Sequence, residues 1–395
     1  MLNSATQFEL TADQKEIYDQ AYRFAKAELA PLLPRMDDDD WYPEDLIPKL
    51  GAAGYLGLTA PSEYGGGGMD LFSVGLVAEA FGYWNLNATF IWGPHENLCL
   101  NNILRNGSKE QKQRYLPRLC RGELVGALAL TEPEAGSDAL GGMRTTARRD
   151  GDCYVLNGNK IFISNGPVAD VALVYAKTDP GRGAHGISAF IVEKDFSGFS
   201  VGKKLIKMGW RGCPTGELIF EDCRVPAENL IGAENGGIGV VMSGLDIERA
   251  FLALPSLGSA ERCIDLSLDH ASTRKQFGAP IAKFQMIQAM LADMYADLEA
   301  ARALCYRALM ACNDLEHGGG GRGDIHKICA AAILKAANMA SSVTDKAVQI
   351  HGGSGFIMDT EVNRHYRNAR LGSIGGGTNE IRRIIIAEEL LRTRA

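Results

Sequence analysis

The chain has 395 residues, 46% of them hydrophobic, enough for a large core and more than one domain. Its formal net charge is −7, from 41 basic and 48 acidic residues, which argues against a broad electrostatic grip on nucleic acid. No apolar run reaches the roughly 18 residues that a membrane span requires, so no membrane association is expected.

The opening stretch MLNSATQFELTADQKE lacks the sections of a secretory signal and the arginines of a transit peptide. Nine scattered cysteines, with no C-x-x-C, predict buried thiols in a reducing compartment rather than a disulfide framework. The expectation is a cytoplasmic prokaryotic protein, or a processed form in the mitochondrial matrix if eukaryotic. Seven histidines form no H-E-x-x-H and no Cys/His cluster, so no metal site is expected.

The first third is predicted to be helical. A helix over residues 11–29 starts with Thr11 as cap and Gln14 three positions on. Asp37, Asp38, Asp39 and Asp40 are expected in a solvated loop. Pro43 is expected to open a helix through Leu50 that ends at Gly51 and Gly54. A loop at Gly65 to Gly68 precedes a helix over 69–81, and Ser108 introduces another over 109–119.

Near Leu124 the texture changes to short segments rich in Val, Ile, Phe and Tyr, separated by Asp-Gly, Asn-Gly and Gly clusters. Asn157-Gly158, lying between apolar stretches, predicts a hairpin. From Gly237 helix returns. Phe284, Ile287, Leu291, Met294, Leu298, Ala301 and Cys305 mark one apolar stripe of a long bundle helix. The GGGGRG stretch (318–323) is expected to be an exposed hairpin tip, with the next long helix running from Asp324 to about Ile350. The fold class is therefore α+β, with an N-terminal helical domain (1–125), a middle β domain (126–236) and a C-terminal helical domain (237–395).

No G-x-G-x-x-G follows a strand and no P-loop is present, so nicotinamide binding on a Rossmann unit and nucleotide hydrolysis lose their usual warrant. Two segments stand out instead. TEPEAGSD (131–138) leaves a buried strand and offers hydroxyls and backbone N–H groups in a tight turn. KIFISNG (160–166) puts Phe162 and Ser164 on one strand face by alternation, an aromatic and a hydroxyl suited to a planar heteroaromatic ring. Taken singly, each is more simply turn chemistry and strand packing.

Taken together with RKQFG (274–278), AVQIHGGSGF (347–356) and GGGTNEIRR (375–383), these segments resemble the acyl-CoA dehydrogenase family of flavoproteins, from Leu10 to about Leu391. The resemblance implies an acyl-CoA dehydrogenase-like fold with a central β-barrel or sandwich and a C-terminal four-helix bundle. It also implies FAD as cofactor, an acyl-CoA substrate, an electron-transfer flavoprotein as acceptor and a homotetramer. Leu130, Thr131, Gly136 and Ser137 would hold the flavin, Ser137 also touching substrate. Phe162 and Ser164 would lie against the ring; Phe and Ser stand where the family more often has Trp and Thr. Arg274, Gln276, Phe277, Gln349, Gly352 and Gly353 would reach the FAD of a neighbouring subunit, and Thr378 and Glu380 would contact flavin.

Family chemistry removes an α proton from a thioester while a hydride leaves the β carbon for flavin N5. Most relatives carry the required carboxylate immediately before the Gly-Thr of the loop, but here that position is Gly376. The candidate base is Glu248 in MSGLDIERAFLALPSLG (242–258). A surface Glu-Arg ion pair is the simpler reading of such a dipeptide. Against it stand the apolar neighbours Leu245, Ile247, Phe251, Leu252 and Leu254, and Pro255, which costs about 3 kcal/mol in an ordinary helix interior.

The segment resembles the isovaleryl-CoA dehydrogenase branch, in which the base sits on this helix. IVEK (191–194), KLIKMGWRG (204–212) and ELIFEDC (217–223) are similar too. The likeness implies that Asp246 and Arg249 hold the pantetheine arm or orient neighbours. Gly376 would donate its N–H to the thioester oxygen together with a ribityl hydroxyl, and Gly375 and Leu252 would shape a pocket for a branched acyl group. His95 and Glu96 would line its distal end or form a capped helix start, with Glu96 as fallback base. A different bulky, cyclic or polar acyl-CoA, an acyl-CoA oxidase on the same scaffold, and a silent acyl-CoA binder are the alternatives.

Overall fold

The computed structural model describes residues 10–313 and 320–392. The stretch that carries no targeting signature lies outside them up to residue 9, as do positions 318 and 319 of the glycine-rich tip. Helix α1 (Ala12–Phe24) starts at a capping box in which Thr11 and Gln14 satisfy each other's backbone N–H. It runs on into a π-helical turn, Ala25–Leu29.

The four acids are not a solvated loop. Asp37, Asp38 and Asp39 close helix α2 (Leu33–Asp39), and Asp37 is fully buried against Arg364 and Arg367. Asp40, left-handed at φ 52°, accepts the Gly212 N–H at 2.8 Å. Distant cations, invisible in the local composition, make burial of Asp37 tolerable. Pro43 forms a turn, its carbonyl accepting from Leu46, and α3 (Leu46–Ala52) follows. Asp70 caps the next helix at Ser73, so α4 is Leu71–Trp84. Asn85 caps α5 (Leu86–Gly93), a π-helical segment (Pro94–Leu100) leads to α6 (Asn101–Asn106), and Ser108 and Gln111 box the start of α7 (Lys109–Cys120).

The strands are β1 (Gly126–Ala129), β2 (Thr146–Asp150), β3 (Cys153–Ser164), β4 (Val171–Lys177), β5 (Ile187–Glu193), β6 (Phe199–Lys204), β7 (Thr215–Pro226) and β8 (Leu230–Ile231). Their order is β6-β7-β3-β2-β4-β5-β8, with β1 parallel to β4. A single residue pair, Thr146 with Lys177, joins β2 to β4, so the sheet folds there into two layers. Tyr154, Leu156 and Phe220 of one layer meet Ala172, Val174 and Phe190 of the other. The outer face of β4 and β5 packs on α7 and on Val240 and Val241.

The predicted hairpin is one turn too late. β2 and β3 are joined at Gly151-Asp152, where Gly151 has φ 63°. Asn157-Gly158 is instead a bulge inside β3, the Asn157 amide exchanging hydrogen bonds with Asp222 across β7. Glycine is needed at 158 because a Cβ there would lie 2.5 Å from the Thr145 hydroxyl.

Helix α8 (Gly237–Thr273) passes through Pro255 without ending. A small hairpin, β9 (Lys275–Gln276) and β10 (Ala279–Pro280), leads to α9 (Gln285–Asn313). The expected α9 stripe is buried from Met294 onward, whereas Phe284, Ile287 and Leu291 are half-covered. The described end of the glycine-rich tip is exposed at Arg322 and Gly323, whereas Gly320 and Gly321 lie on α8 beside Met242. Then come α10 (Gly323–His351), the single turn α11 (Gly353–Phe356), α12 (Glu361–Gly372) and α13 (Asn379–Arg392).

Helices α8, α9 and α10 pack on one another, α12 and α13 lie on α10, and α4 lies on α8. The last contact is close because Gly82 and Gly258 carry no Cβ; at Gly82 one would stand 2.3 Å from the Pro255 carbonyl oxygen. One hydrophobic core therefore runs through both helical regions, from Ala21 and Trp92 to Leu298 and Val343.

Candidate active site

TEPEAGSD and KIFISNG meet in space. The Ile161 N–H donates to the Thr131 carbonyl oxygen at 3.0 Å, and the Lys160 ammonium donates to Leu130 O at 3.0 Å and to Glu132 at 2.8 Å. Lys160 is wholly buried and Glu132 nearly so. Burial pushes the Lys160 ammonium down to about 8, against the pull of Glu132. The Glu132 carboxylate also accepts from Arg144 N and Thr145 N, so this buried pair has its remaining lone pairs satisfied. Sequence reasoning passed over Glu132 and Lys160, although both sit inside the quoted motifs.

Simple alternation does not place Phe162. Its φ is 61° and the register of β3 against β7 slips between Lys160 and Ile163. The bulge turns the ring outward, 64% exposed, while Ile163 enters the core and Ser164 is half-exposed. Thr131 is half-exposed, Ser137 and Gly136 are exposed, and open space surrounds Gly136 where a side chain would project. A protruding aromatic beside exposed hydroxyls and a cleared turn fits a planar ring with a polar tail.

The Glu-Arg pair on α8 is no surface ion pair, since Asp246 and Arg249 are buried. Glu248 lines a narrow cleft with Asn97, Asn102, Arg105, Leu130 and Tyr175 among its walls. Among the described residues its carboxylate has no hydrogen bond and no cation within ion-pair distance. Burial pushes this carboxyl above the usual range, while the charges of Arg249, Arg105 and Arg382 pull it back.

The glycine loop folds over the same helix. Gly376 has φ 67° and Gly377 φ 86°, the left-handed region that favours glycine. A Cβ at Gly376 would stand 3.1 Å from Leu252, one turn beyond Glu248, so Leu252 faces Gly376. Gly375 faces Leu371 instead. The N–H of Gly376 has no partner among the described residues. Arg382, missed in the sequence, holds the loop by donating to Gly372 O, Gly375 O and Asn379 Oδ1 at 2.7, 2.5 and 2.7 Å. Thr378 caps α13 by accepting from Ile381 N, and the exposed Glu380 lies 3.8 Å from Arg383.

Asp246 is bonded to His326 at 2.6 Å, to Gly321 N at 2.7 Å and to Arg249 at 3.4 Å. Its carboxylate therefore orients Arg249, whose other end lies beside Gly377. His326 was missed because its partner is 80 positions earlier.

His95 and Glu96 do not face the cleft, nor do they begin a helix. They lie in the π-helical segment, fully buried. The Glu96 carboxylate accepts Gly57 N and Leu58 N at 2.7 Å each, and burial raises it to about 7. His95 Nδ1 accepts from Gly126 N, so Nε2 carries the proton given to Leu119 O. Their partners are committed to backbone, which removes Glu96 as a substitute base. Asn97 and Leu98, the next two residues, line the cleft instead.

Arg274, Gln276, Phe277, Gln349, Gly352 and Gly353 are all exposed and gather at the far end of the bundle, where His270 and His351 stack at 4.3 Å. At the helical rise Arg274 lies roughly 40 Å along α8 from Glu248. They cannot share one site with it in a single chain.

Models of the acyl-CoA dehydrogenase N-terminal, middle and C-terminal domains match residues 11–123, 127–223 and 235–391. The mitochondrial isovaleryl-CoA dehydrogenase of Solanum tuberosum is 42% identical over 382 residues, 96% of this chain and 90% of that protein. The structure of butyryl-CoA dehydrogenase from Megasphaera elsdenii superimposes with a TM-score of 0.92 at 38% identity, covering 98% of this chain and 100% of that one. The FAD complex of PigA superimposes with a TM-score of 0.92 at 33% identity, covering 99% and 100%. The chain belongs to the acyl-CoA dehydrogenase family of FAD flavoproteins and is an oxidoreductase acting on CH–CH groups.

Proposed function

We propose that this chain oxidises the Cα–Cβ bond of a short branched acyl-CoA, with isovaleryl-CoA as reference substrate, to the 2,3-enoyl-CoA. The observation that carries it is the Glu248 carboxylate, which stands in the cleft with no hydrogen bond and no ion-pair partner among the described residues. A carboxylate left unengaged and partly desolvated is able to take a proton from a weak carbon acid. Glu248 removes the α proton, and the C–H pair it leaves behind forms the new double bond as a hydride departs the β carbon. Bound FAD supplies the hydride acceptor.

The free N–H of Gly376 is the donor for the thioester oxygen, where negative charge develops. Asp246 fixes Arg249, which faces the glycine loop and steadies the pantetheine arm. Leu130, Thr131, Gly136, Ser137, Phe162 and Ser164 form the cradle for the flavin, with Thr378 and Glu380 at its edge. The absent side chain at 376, opposite Leu252, leaves width for a β-branch.

The distance of Arg274, Gln276, Phe277, Gln349, Gly352 and Gly353 from Glu248 supports a homotetramer in which they serve a neighbour's FAD. Electrons then pass to an electron-transfer flavoprotein. Nine free thiols suit a reducing compartment, the cytoplasm or the mitochondrial matrix.

An anaerobic screen of acyl-CoA thioesters, followed by flavin absorbance, tests the substrate. Isovaleryl-CoA is expected to bleach the flavin fastest; bleaching by straight-chain or cyclic thioesters alone removes the branched-chain assignment. Rapid reoxidation of the bleached enzyme by air marks an oxidase instead.

A further inference from the structure

Glu248 is faced by charged and titratable groups from every side. Arg249 lies on its own helix, Arg105 on α6, Tyr175 on β4 and Arg382 on α13, and His326 of α10 is reached through Arg249. Two of the three arginines have other duties. Arg382 is spent on the glycine loop, and Arg249 is held by Asp246 and His326.

Arg105 differs. It comes from a separate helix and lines the same cleft as Glu248. Its Nη1 donates to Ser243 O at 2.6 Å, while its Nε, like those of Arg249 and Arg382, is buried without a hydrogen-bond partner. Its guanidinium occupies the space left by Gly244, where a Cβ would stand 2.6 Å from Nη2. Gly244 is one helical turn before Glu248, so both project on one face of α8. The missing side chain at 244 thus lets a desolvated cation settle a turn away from the carboxylate, with no acid paired to it among the described residues.

We propose that Arg105, seated in the gap at Gly244, is a positioning residue that keeps Glu248 ionised and therefore able to accept the α proton. This rests on Glu248 being the base. In a desolvated cleft the carboxyl alone prefers its protonated form, and a nearby fixed cation favours the anion. The direction agrees with the charge balance at Glu248, where burial raises proton affinity and Arg249, Arg105 and Arg382 oppose it, Arg105 being the one of the three that also lines the cleft. Arg105 touches neither reacting carbon in this role; it acts through Glu248.

The test follows flavin bleaching by isovaleryl-CoA against pH in the holoenzyme of the wild type, Arg105→Gln and Arg105→Lys. In Arg105→Gln the acidic limb of the rate is expected to move up by about one pH unit, a tenfold loss on that limb, with Lys restoring most of it. In parallel, the protonated-carboxyl infrared band that Glu248→Gln removes is titrated in each background. It should persist to higher pH in Arg105→Gln, a readout independent of turnover.

Gly244→Ala, which displaces the guanidinium and keeps the charge, should move the limb the same way and serves if Arg105→Gln does not fold. An unmoved limb and band in these variants, whatever their melting temperature, overturns the role of Arg105. Should Glu248→Gln still bleach flavin, the assignment of the base fails instead.

Discussion

Arg382 donates to the carbonyl oxygen of Gly375 at 2.5 Å and, through Gly372 O and Asn379 Oδ1 at 2.7 Å each, clamps both ends of the glycine loop. The loop is thereby held by a side chain that comes after it, and Gly376 is left with a free N–H over Leu252. Replacing Arg382 with Lys removes the planar fork that reaches three acceptors at once. We expect a drop of about a hundredfold in flavin reduction with FAD retained, because a slackened donor no longer meets the developing oxyanion. Stopped-flow bleaching alongside the visible flavin spectrum checks this, and a rate within twofold of wild type would show that the loop holds itself.

Glu248→Gln keeps shape and removes basicity. Flavin should remain bound, and its bleaching by isovaleryl-CoA should fall by about a thousandfold. Full activity in this variant would sink the assignment.

Lys160 and Glu132 are a buried pair inside the two motifs proposed to hold the flavin. Lys160→Met leaves the Glu132 carboxylate buried with two backbone donors but no cation, at a cost of about 3–5 kcal/mol. We expect a lower melting temperature and purified protein depleted in FAD, read from the ratio of flavin to protein absorbance. Lys160→Met combined with Glu132→Gln should recover part of the stability.

Gly376→Ala places a Cβ 3.1 Å from Leu252 at φ 67°. Left-handed backbone costs a non-glycine residue about 1 kcal/mol, and the added methyl narrows the pocket. KM should rise more for isovaleryl-CoA than for butyryl-CoA. Equal changes for the two thioesters would detach this position from acyl selectivity.

His95 is buried neutral, its proton affinity pushed down to about 4, chiefly by desolvation. The unfolded chain binds a proton at this residue near 6.5 and the folded chain does not. Stability from His95 is therefore present above pH 6.5 and lost as pH falls toward 4, by about 3 kcal/mol at most. Gln at 95 offers an acceptor to Gly126 N and a donor to Leu119 O without titrating. Melting temperature should fall less steeply between pH 6.5 and 4 in His95→Gln than in the wild type.

Much of the element order was legible because it is local. The Thr11 and Gln14 capping pair is written three residues apart and forms as expected, and Ser108 starts its helix where expected, with Gln111 completing a second box. Local composition misleads where a partner lies far away: the acid run reads as solvated, yet Arg364 and Arg367 neutralise a buried Asp37. The outward turn of Phe162 depends on a bulge against β7 that no alternation rule contains.

The sequence by itself determined the α-β-α order, the family and the motifs expected to hold flavin, since short-range hydrogen bonding and side-chain periodicity are local properties. It also directed attention to Glu248 once position 376 was found to lack an acid. Only the tertiary structure decided which charges surround Glu248, that Arg382 clamps the loop, that Glu96 is tied to the backbone of Gly57 and Leu58, and that the Arg274 and Gln349 sets stand far from the cleft. Burial and electrostatic environment are sums over segments distant in the chain, and those sums exist only after folding brings the segments together.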